Sequence, residues 1–377
     1  MRVLHTISGM GINSGGTTVC LHNLATGLLE QGIDVEILTF YPDHNDSLIS
    51  NENYINALKP PIERRYGYSL NFRNELLKYS QVDIIHSNGL WQYTTHSASI
   101  FSRRNNIPYL ISTHGMLYTE ALRSSKVLKK LAMSVFQNKD LRAANTIHAT
   151  SKKEFEIIRS LGFFNPVAVI PNASNTTVNQ INIPKKSKYK VGFIGRLDPI
   201  KKIETLLEAW AITAANKEDW ELVIIGNGET NYRNRLVGVA NDLGITNISF
   251  VGFLVNEEKE SILQSLRFLV LPSKSENFGM VVPEALVHEI PVIASKGTPW
   301  EELNTHNAGW WIDIGVEPLA KILREALSLP EGERQIMGIN GRKLVEQKYS
   351  IEAVSRQMIS LYEWILGKGT KPDFVYT

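Results

Sequence analysis

Pro272-Ser273-Lys274-Ser275-Glu276-Asn277-Phe278-Gly279-Met280-Val281-Val282-Pro283-Glu284-Ala285 follows directly on the apolar run FLVL at 268–271. A short β-rich run that breaks into a polar, glycine-bearing loop and then into helix-forming residues describes one strand–loop–helix unit of a parallel α/β sheet, and such sheets bind ligands at the carboxyl ends of their strands. Glu276 falls in that loop. Glu284 falls in the following helix, whose first turn is predicted over Phe278 to Val281. N–H groups of a first helical turn have no partner within the helix and can face an anion. A carboxylate accepts hydrogen bonds from vicinal hydroxyls, so two of them can hold two separate diols. Stripped of its surroundings, E-x7-E describes two exposed glutamates on a loop and a helix.

The surroundings repeat the same pattern. Upstream and downstream of FLVL, strands are expected at 190–194, 221–225, 248–251 and 291–294, separated by helical stretches. An earlier series, at 2–7, 33–39, 82–86, 107–112, 145–149 and 167–170, alternates with helical candidates such as 17–31 and 151–161. The latter opens with Ser151 and Glu154 at capping-box spacing. The polar run 172–189 separates the two series, and 351–366 is a strong amphipathic helix behind Ser350. The chain is therefore expected to be α/β. An N-terminal Rossmann-like domain covers 1–174, a linker 175–189 and a second such domain 190–350, with a C-terminal helix in 351–377 packing back.

Bulk composition agrees. A chain of 377 residues, 43% hydrophobic and 21% charged, exceeds what one core supports and resembles ordinary globular protein. The single cysteine, Cys20, precludes an intramolecular disulfide and a cysteine-based zinc site, which suits a reducing, cytoplasmic compartment. MRVLHTISGMG is too short and polar for a signal peptide and reads as a first strand. No run approaches the apolar length of a transmembrane helix, so membrane contact is expected to be peripheral. The net charge of +2 is unevenly placed: residues 1–187 hold 19 Lys and Arg against 13 Asp and Glu, and 188–377 hold 21 against 25. That asymmetry is compatible with an anionic partner for the first half, and equally with drift.

Two loops carry further chemistry. Ser8-Gly9-Met10-Gly11 through Gly15-Gly16-Thr17 leaves the first strand and opens a helix, either a cradle for phosphate or carboxylate or a plain turn. Gly195-Arg196-Leu197-Asp198-Pro199-Ile200-Lys201-Lys202 leaves the first strand of the second series. Arg196 offers a planar fork and Lys201 a mobile point charge, a combination suited to a diphosphate; in isolation R-x4-K is a solvated basic turn.

Residues 190–295 closely resemble the C-terminal domain of family-4 retaining glycosyltransferases of the GT-B fold. GRLDPIKK is similar to that family's G-R-L-x3-K-G loop, SENFGMVVPEA to its E-G-F-G-x4-E-A motif, and IIGNGE and FVGFL lie between them in the expected order. The likeness extends through SGG near residue 15, STHGM around His114, VIPNAS near 170 and LYEWIL near the end. It implies two Rossmann-like domains with parallel sheets facing an interdomain cleft that holds a nucleotide-diphosphate sugar of UDP, GDP or ADP type. Arg196 and Lys201 would meet the diphosphate, Glu284 the ribose and Glu276 the transferred sugar. The main-chain amides of Asn277, Phe278, Gly279, Met280 and Val281 would serve sugar and phosphate, Gly252-Phe253-Leu254 the base, and Gly15 and Gly16 the phosphate. His114 would stand near the anomeric carbon. The implied reaction retains configuration and needs no metal or other cofactor, fixed cations stabilising the departing diphosphate. The chain departs from the pattern where Lys202, Ala173 and Glu289 replace glycines. It departs again at Gly297-Thr298-Pro299-Trp300-Glu301, a form that resembles members building bacterial surface polysaccharides.

The acceptor, a saccharide or lipid-linked saccharide, is expected in the first half, with Asn88 and Trp91 as candidate contacts; packing is the simpler role for one Trp. Residues 121–144 carry six Lys and Arg against one Asp, with Leu122, Val127, Leu128, Leu131, Val135 and Phe136 at roughly helical spacing. They form either a peripheral contact with the anionic inner face of the plasma membrane or a surface helix whose apolar side enters the core. No nucleic-acid partner is expected. Two other classes compete. An NAD-dependent oxidoreductase fits poorly, because Ser14 stands at the third glycine of G-x-G-x-x-G and no acid ends the second strand. A non-catalytic sugar-nucleotide or polysaccharide binder shares every motif and is separated only by assay.

Overall fold

The computed structural model describes residues 1–43, 45–63, 65–178, 188–215, 217–254 and 256–377. Most of the expected linker, 179–187, lies outside the described residues. The chain divides into two compact units, Met1–Ala173 with Ile351–Thr377, and Ser174–Ser350.

The first unit is built on β1 (Arg2–Thr6), β2 (Asp34–Phe40), β3 (Ile55–Leu58), β4 (Ile84–Asn88), β5 (Tyr109–Ser112), β6 (Thr146–Ala149) and β7 (Val167–Val169). The second unit contributes β8 (Tyr189–Ile194), β9 (Trp220–Ile225), β10 (Ile248–Val251), β11 (Leu266–Leu271), β12 (Val292–Ser295) and β13 (Gly309–Ile312), and β14 (Val375–Tyr376) returns to the first sheet. Sheet order is β14-β7-β6-β5-β4-β1-β2-β3 in one unit and β10-β9-β8-β11-β12-β13 in the other. Every pairing is parallel except that of β14 with β7. β3, β13 and β14 were not expected from sequence. They are short segments at or beside sheet edges, and pairing with a neighbour makes them strands more than their own pattern does.

Helices cover both faces. Gly16–Glu30 packs on Ile351–Ile365, and Gly27 permits the approach, since a Cβ there would lie 2.5 Å from Ile351 Cγ2. Ser151 caps Lys152–Ser160 by accepting from the Glu154 N–H, as its spacing suggests. The helix after β11 is shorter than expected. It starts at Val281, because Gly279 takes φ +82°, which turns the chain before the helix and leaves Phe278 outside it. Phe278 instead packs in the core against Trp300 and Tyr349.

Lys202 (φ +55°) and Glu289 (φ +58°) occupy the left-handed region at two of the positions where glycine was expected, whereas Ala173 does not. A side chain pays a steric cost there that glycine avoids.

Beneath the first sheet's helix Ile351–Ile365 lies a buried polar row. Tyr362 Oη stands 2.7 Å from His86 Nδ1 and 3.4 Å from His5 Nε2. His86 Nε2 meets Ser112 Oγ at 2.5 Å, Ser112 Oγ meets His148 Nδ1 at 2.6 Å, and His148 Nε2 donates to the Ile170 carbonyl at 2.8 Å. Burial pushes His5 down to about 3, His148 to about 4 and His86 well below its ordinary value.

Two outcomes follow from this packing. Each neutral, buried histidine must take up a proton on unfolding below about pH 6.5, so its share of stability is complete above that pH and is lost as pH falls toward its folded value. Glu154, whose carboxyl is raised by burial, acts in the opposite sense but is one group against several. Urea unfolding between pH 6.5 and 5 should show uptake of more than two protons, about 3 kcal/mol lost per pH unit; a flat profile would contradict the buried row. Glu289→Gly should raise the melting temperature by about 2–4 °C through relief of roughly 1 kcal/mol, and a lower value would show that the side chain is needed there.

Candidate functional site

In the second unit, loops from the carboxyl ends of β8, β9, β10 and β11 are fastened to one another. Leu197 N–H donates to the Asn227 carbonyl at 2.8 Å and Lys274 N–H to the Ile200 carbonyl at 2.8 Å. Phe253 N–H donates to Asn227 Oδ1 at 3.2 Å. Glycine is required where these loops touch: a Cβ on Gly226 would lie 1.9 Å from the Gly195 carbonyl oxygen, and one on Gly228 2.1 Å from that of Leu197.

The loop after β8 is shaped by Asp198, whose Oδ1 accepts from Ile200 N–H at 3.0 Å and caps the turn Pro199–Lys201. Arg196 extends into solvent with 72% of its side chain exposed and pairs loosely with Asp198 at 3.3 Å. Lys201 is different. Its side chain is 18% exposed and its ammonium is ion-paired with Glu276 Oε1, itself on a side chain 11% exposed. Ser273 Oγ donates to that same oxygen at 2.7 Å, and Glu276 N–H donates to the Gly297 carbonyl at 3.0 Å. Glu276 is thus held through Oε1, and its Oε2 takes part in neither bond. Glu284, on the helix Val281–Val287, pairs through Oε2 with Lys259 Nζ at 2.8 Å.

Between the two glutamates, the N–H groups of Phe278, Gly279 and Met280 find no main-chain acceptor among the described residues. Trp300, fully buried, donates from Nε1 to the Phe278 carbonyl at 2.5 Å, and a Cβ on Gly297 would strike the Ser273 carbonyl oxygen. The Gly297–Glu301 segment therefore acts as a buttress behind the loop of Glu276. Gly252, Phe253 and Leu254 follow β10, with the Phe253 ring about half exposed.

In the first unit, Gly15 takes φ +89° and precedes the helix Gly16–Glu30, whose N-terminus has no side-chain cap. Thr113-His114-Gly115 leaves β5 with His114 at φ +46° and Gly115 at φ +72°. Glu154, fully buried, clamps this turn: it accepts from Thr113 Oγ1 at 2.6 Å and from Gly115 N–H, and through its other oxygen from Thr150 N–H at 2.8 Å and Oγ1 at 3.0 Å. His114 Nε2 meets Asn88 Oδ1 at 3.1 Å, and burial pushes the imidazole down to about 3, so it is neutral. Asn88 is buried and supports His114 rather than lying open to a saccharide. Trp91, at φ +72°, lies half-buried against the core, which is the packing role. A cavity of about 540 Å³ with mixed polar and apolar walls opens beside the loops after β1 to β4, lined by Asn13, Tyr41, Asp43, Asp46, Tyr66 and Gln92 among others.

Residues 121–144 form no single helix. They break into Thr119–Arg123, Lys126–Ala132, a π-helical turn at Met133–Gln137 and Asn138–Ala143. Their apolar residues divide: Leu141 is buried in the core, with Met133 against it and Phe136 against Tyr66 and His96, whereas Val127, Leu128, Leu131 and Val135 are 78, 48, 58 and 69% exposed.

Sequence reading missed Ser273, Lys259, Glu154 and Trp300 as supports. Lys259 had no signal, being 25 residues from its partner, whereas Gly226 to Gly228 lay within IIGNGE, a motif noted without a role. No cluster of three or more His, Cys, Asp or Glu suited to a metal occurs among the described residues.

Comparison with known proteins bears on the family. The profile described as Glycosyl transferases group 1 matches residues 174–344, and that of Glycosyltransferase Family 4 matches 14–178. An uncharacterized glycosyltransferase of Methanocaldococcus jannaschii is 25% identical over 93% of this chain and 94% of its own. The capsular polysaccharide biosynthesis glycosyltransferase CapM of Staphylococcus aureus is 25% identical over 47% of each chain. Anabaena HepE, solved in complex with UDP and glucose, superposes with a TM-score of 0.76 over 97% of this chain and 100% of its own; at 18% identity the likeness is one of fold. With two adjoining family profiles spanning 14–344 and a parallel α/β sheet in each unit, the chain belongs to the family-4, group 1 glycosyltransferases of the GT-B fold.

Proposed function

We propose that this protein is a retaining glycosyltransferase that moves a sugar from a nucleotide-diphosphate sugar to a saccharide or lipid-linked saccharide in bacterial surface-polysaccharide assembly, without a metal. The observation that carries the proposal is the grouping at the ends of β8 and β11: Lys201 paired to Glu276, Glu276 held through Oε1, and N–H groups at 278–280 without a main-chain acceptor. HepE, with its bound UDP and glucose, and CapM, by its named role, support the donor class and the polysaccharide setting.

The donor diphosphate would lie against Arg196, Lys201 and these N–H groups, and Glu284 would accept from the ribose diol. Glu276 Oε2 would accept from a hydroxyl of the transferred sugar, and Gly252 to Leu254 would meet the base. As the bond from the anomeric carbon to the diphosphate oxygen breaks, Lys201 and Arg196 stabilise the charge that develops on the leaving group. The acceptor hydroxyl attacks from the face the diphosphate leaves, passing its proton to a phosphate oxygen, so the configuration is kept. Glu276, tied to a cation and a hydroxyl, suits sugar binding better than attack on carbon. His114, being neutral, suits hydrogen bonding to substrate and not acid catalysis. The acceptor's saccharide would enter the cavity of Tyr41, Tyr66 and Asp43, where aromatic faces and carboxylates match sugar rings and hydroxyls.

A cytoplasmic enzyme that meets lipid-linked acceptors needs a route to the inner face of the membrane. The exposed Val127, Leu128, Leu131 and Val135, with exposed Arg123, Lys126 and Lys130 beside them, supply apolar and cationic contacts for an anionic bilayer.

Thermal shifts with UDP-, GDP- and ADP-glucose should show one base raising stability. Turnover should persist in EDTA and give a retained anomer by NMR, and Lys201→Ala should lower it by about a hundred-fold or more. An inverted product would overturn the mechanism, and binding without turnover would mark a non-catalytic binder. In flotation, liposomes rich in phosphatidylglycerol should carry the protein and lose the Val127→Asp/Leu131→Asp variant, whereas failure of the unaltered protein to float would refute the membrane contact.

A further inference from the structure

The buried row beneath Tyr362 continues to His114, and its two ends leave no freedom in where its protons lie. At one end a carbonyl, Ile170 O, can only accept, so His148 carries its proton on Nε2 and its Nδ1 is bare. Ser112 must then donate to His148 Nδ1, and having one proton it must accept from His86 Nε2–H. His86 Nδ1 is bare in turn and accepts from the Tyr362 hydroxyl, which leaves the Tyr362 oxygen to accept from His5 Nε2–H. At the other end a second carbonyl, His86 O, lies 3.2 Å from Asn88 Nδ2 and fixes the orientation of that amide. Asn88 Nδ2 donates to His5 Nδ1 at 3.3 Å, and its Oδ1 must accept from His114 Nε2–H. The two halves of the row meet at Tyr362 and His5 with the same polarity.

We propose that this one-way relay holds His114 as the neutral Nε2–H tautomer, so that His114 meets its substrate as a hydrogen-bond acceptor through Nδ1, taking a proton bond from a sugar hydroxyl. Asn88, His5, Tyr362, His86, Ser112 and His148 are then positioning residues, while Glu154 holds the left-handed turn on which the ring sits. The Nδ1–H tautomer would set the bare Nε2 against the Asn88 oxygen, lone pair facing lone pair; a cationic ring would keep that bond, and it is burial that disfavours the cation. The depressed affinity of all four rings for a second proton agrees with this.

The inference rests on the substrate-facing role of His114 given above, and its test separates the two. In protein labelled with ¹⁵N-histidine, long-range ¹H–¹⁵N spectra at pH 7 should show His5, His86, His114 and His148 all neutral and protonated on Nε2; a cationic or Nδ1–H ring at His114 would overturn the relay. Turnover of UDP-, GDP- and ADP-glucose then reports on its use. Asn88→Leu should mix the tautomers of His114 and lower kcat about ten-fold, with KM for the donor little changed and the melting temperature lowered, since the His86 carbonyl and His5 Nδ1 lose their buried donor. Added to His114→Ala it should cost nothing further; a full additional loss would mean that Asn88 acts on stability alone. His114→Asn, which keeps an acceptor at the Nδ1 position and tolerates the left-handed backbone, should retain more activity than His114→Ala or His114→Gln. If Asn88→Leu does not fold, Tyr362→Phe interrupts the relay one link away and should move kcat and the His5 tautomer together, and no change in either would refute the relay. Turnover by His114→Ala equal to that of the unaltered protein would remove the substrate contact while leaving the proton pattern intact.

Discussion

The ion pair between Lys201 and Glu276 ties the loop after β8 to the loop after β11, and most of what surrounds it exists to keep those two loops in contact. Lys274 N–H bonds the Ile200 carbonyl, Ser273 shares the carboxylate, and Gly297 with Trp300 supports the second loop from behind. A pair so little exposed gains less than its Coulomb energy suggests, because both ions lose water. Its value lies in position. One carboxylate oxygen is fixed by a cation and a hydroxyl, and the two loops that carry them are held together.

The same economy of backbone appears around it. Gly226 and Gly228 hold the chain so close to Gly195 and Leu197 that any side chain would separate the loops. Where close approach is not at stake, the chain has substituted residues with side chains, as at Lys202 and Glu289, and accepts a left-handed conformation at each. At Gly226 and Gly228 space requires glycine, whereas at Lys202 and Glu289 only the torsion favours it and a side chain is carried.

The first unit solves a different problem, that of placing one imidazole. Two consecutive left-handed residues carry it, and a fully buried acidic side chain fastens the turn through four neutral donors. Burying a carboxylate without a cation is expensive unless every lone pair is met, and here two hydroxyls and two main-chain N–H groups meet them. The exposed apolar side of the helical segment at 126–135 stands in contrast, being left uncovered by its own unit.

Much of this was legible in the amino-acid order. Alternating β-rich and helical runs predicted the parallel sheets, since periodicity and burial have one physical cause, and the loops after FLVL and KVGFI announced themselves by charged residues at strand ends. Short edge strands such as β3 and β13 were not legible, because pairing and not local preference creates them. Nor was the break before Val281, which depends on the torsion of Gly279, or the fate of Val127, Leu128, Leu131 and Val135, whose spacing suits a core or a membrane alike. Above all, partners far apart in sequence were invisible: Lys259 with Glu284, Glu154 with Gly115, and Tyr362 with His5 and His86. Sequence by itself determined the residue types and the strand ends at which they emerge. Only tertiary structure decided which oxygen of Glu276 is held and which nitrogen of His114 is bare, because hydrogen bonds are set by distance and direction in space, which linear order does not contain.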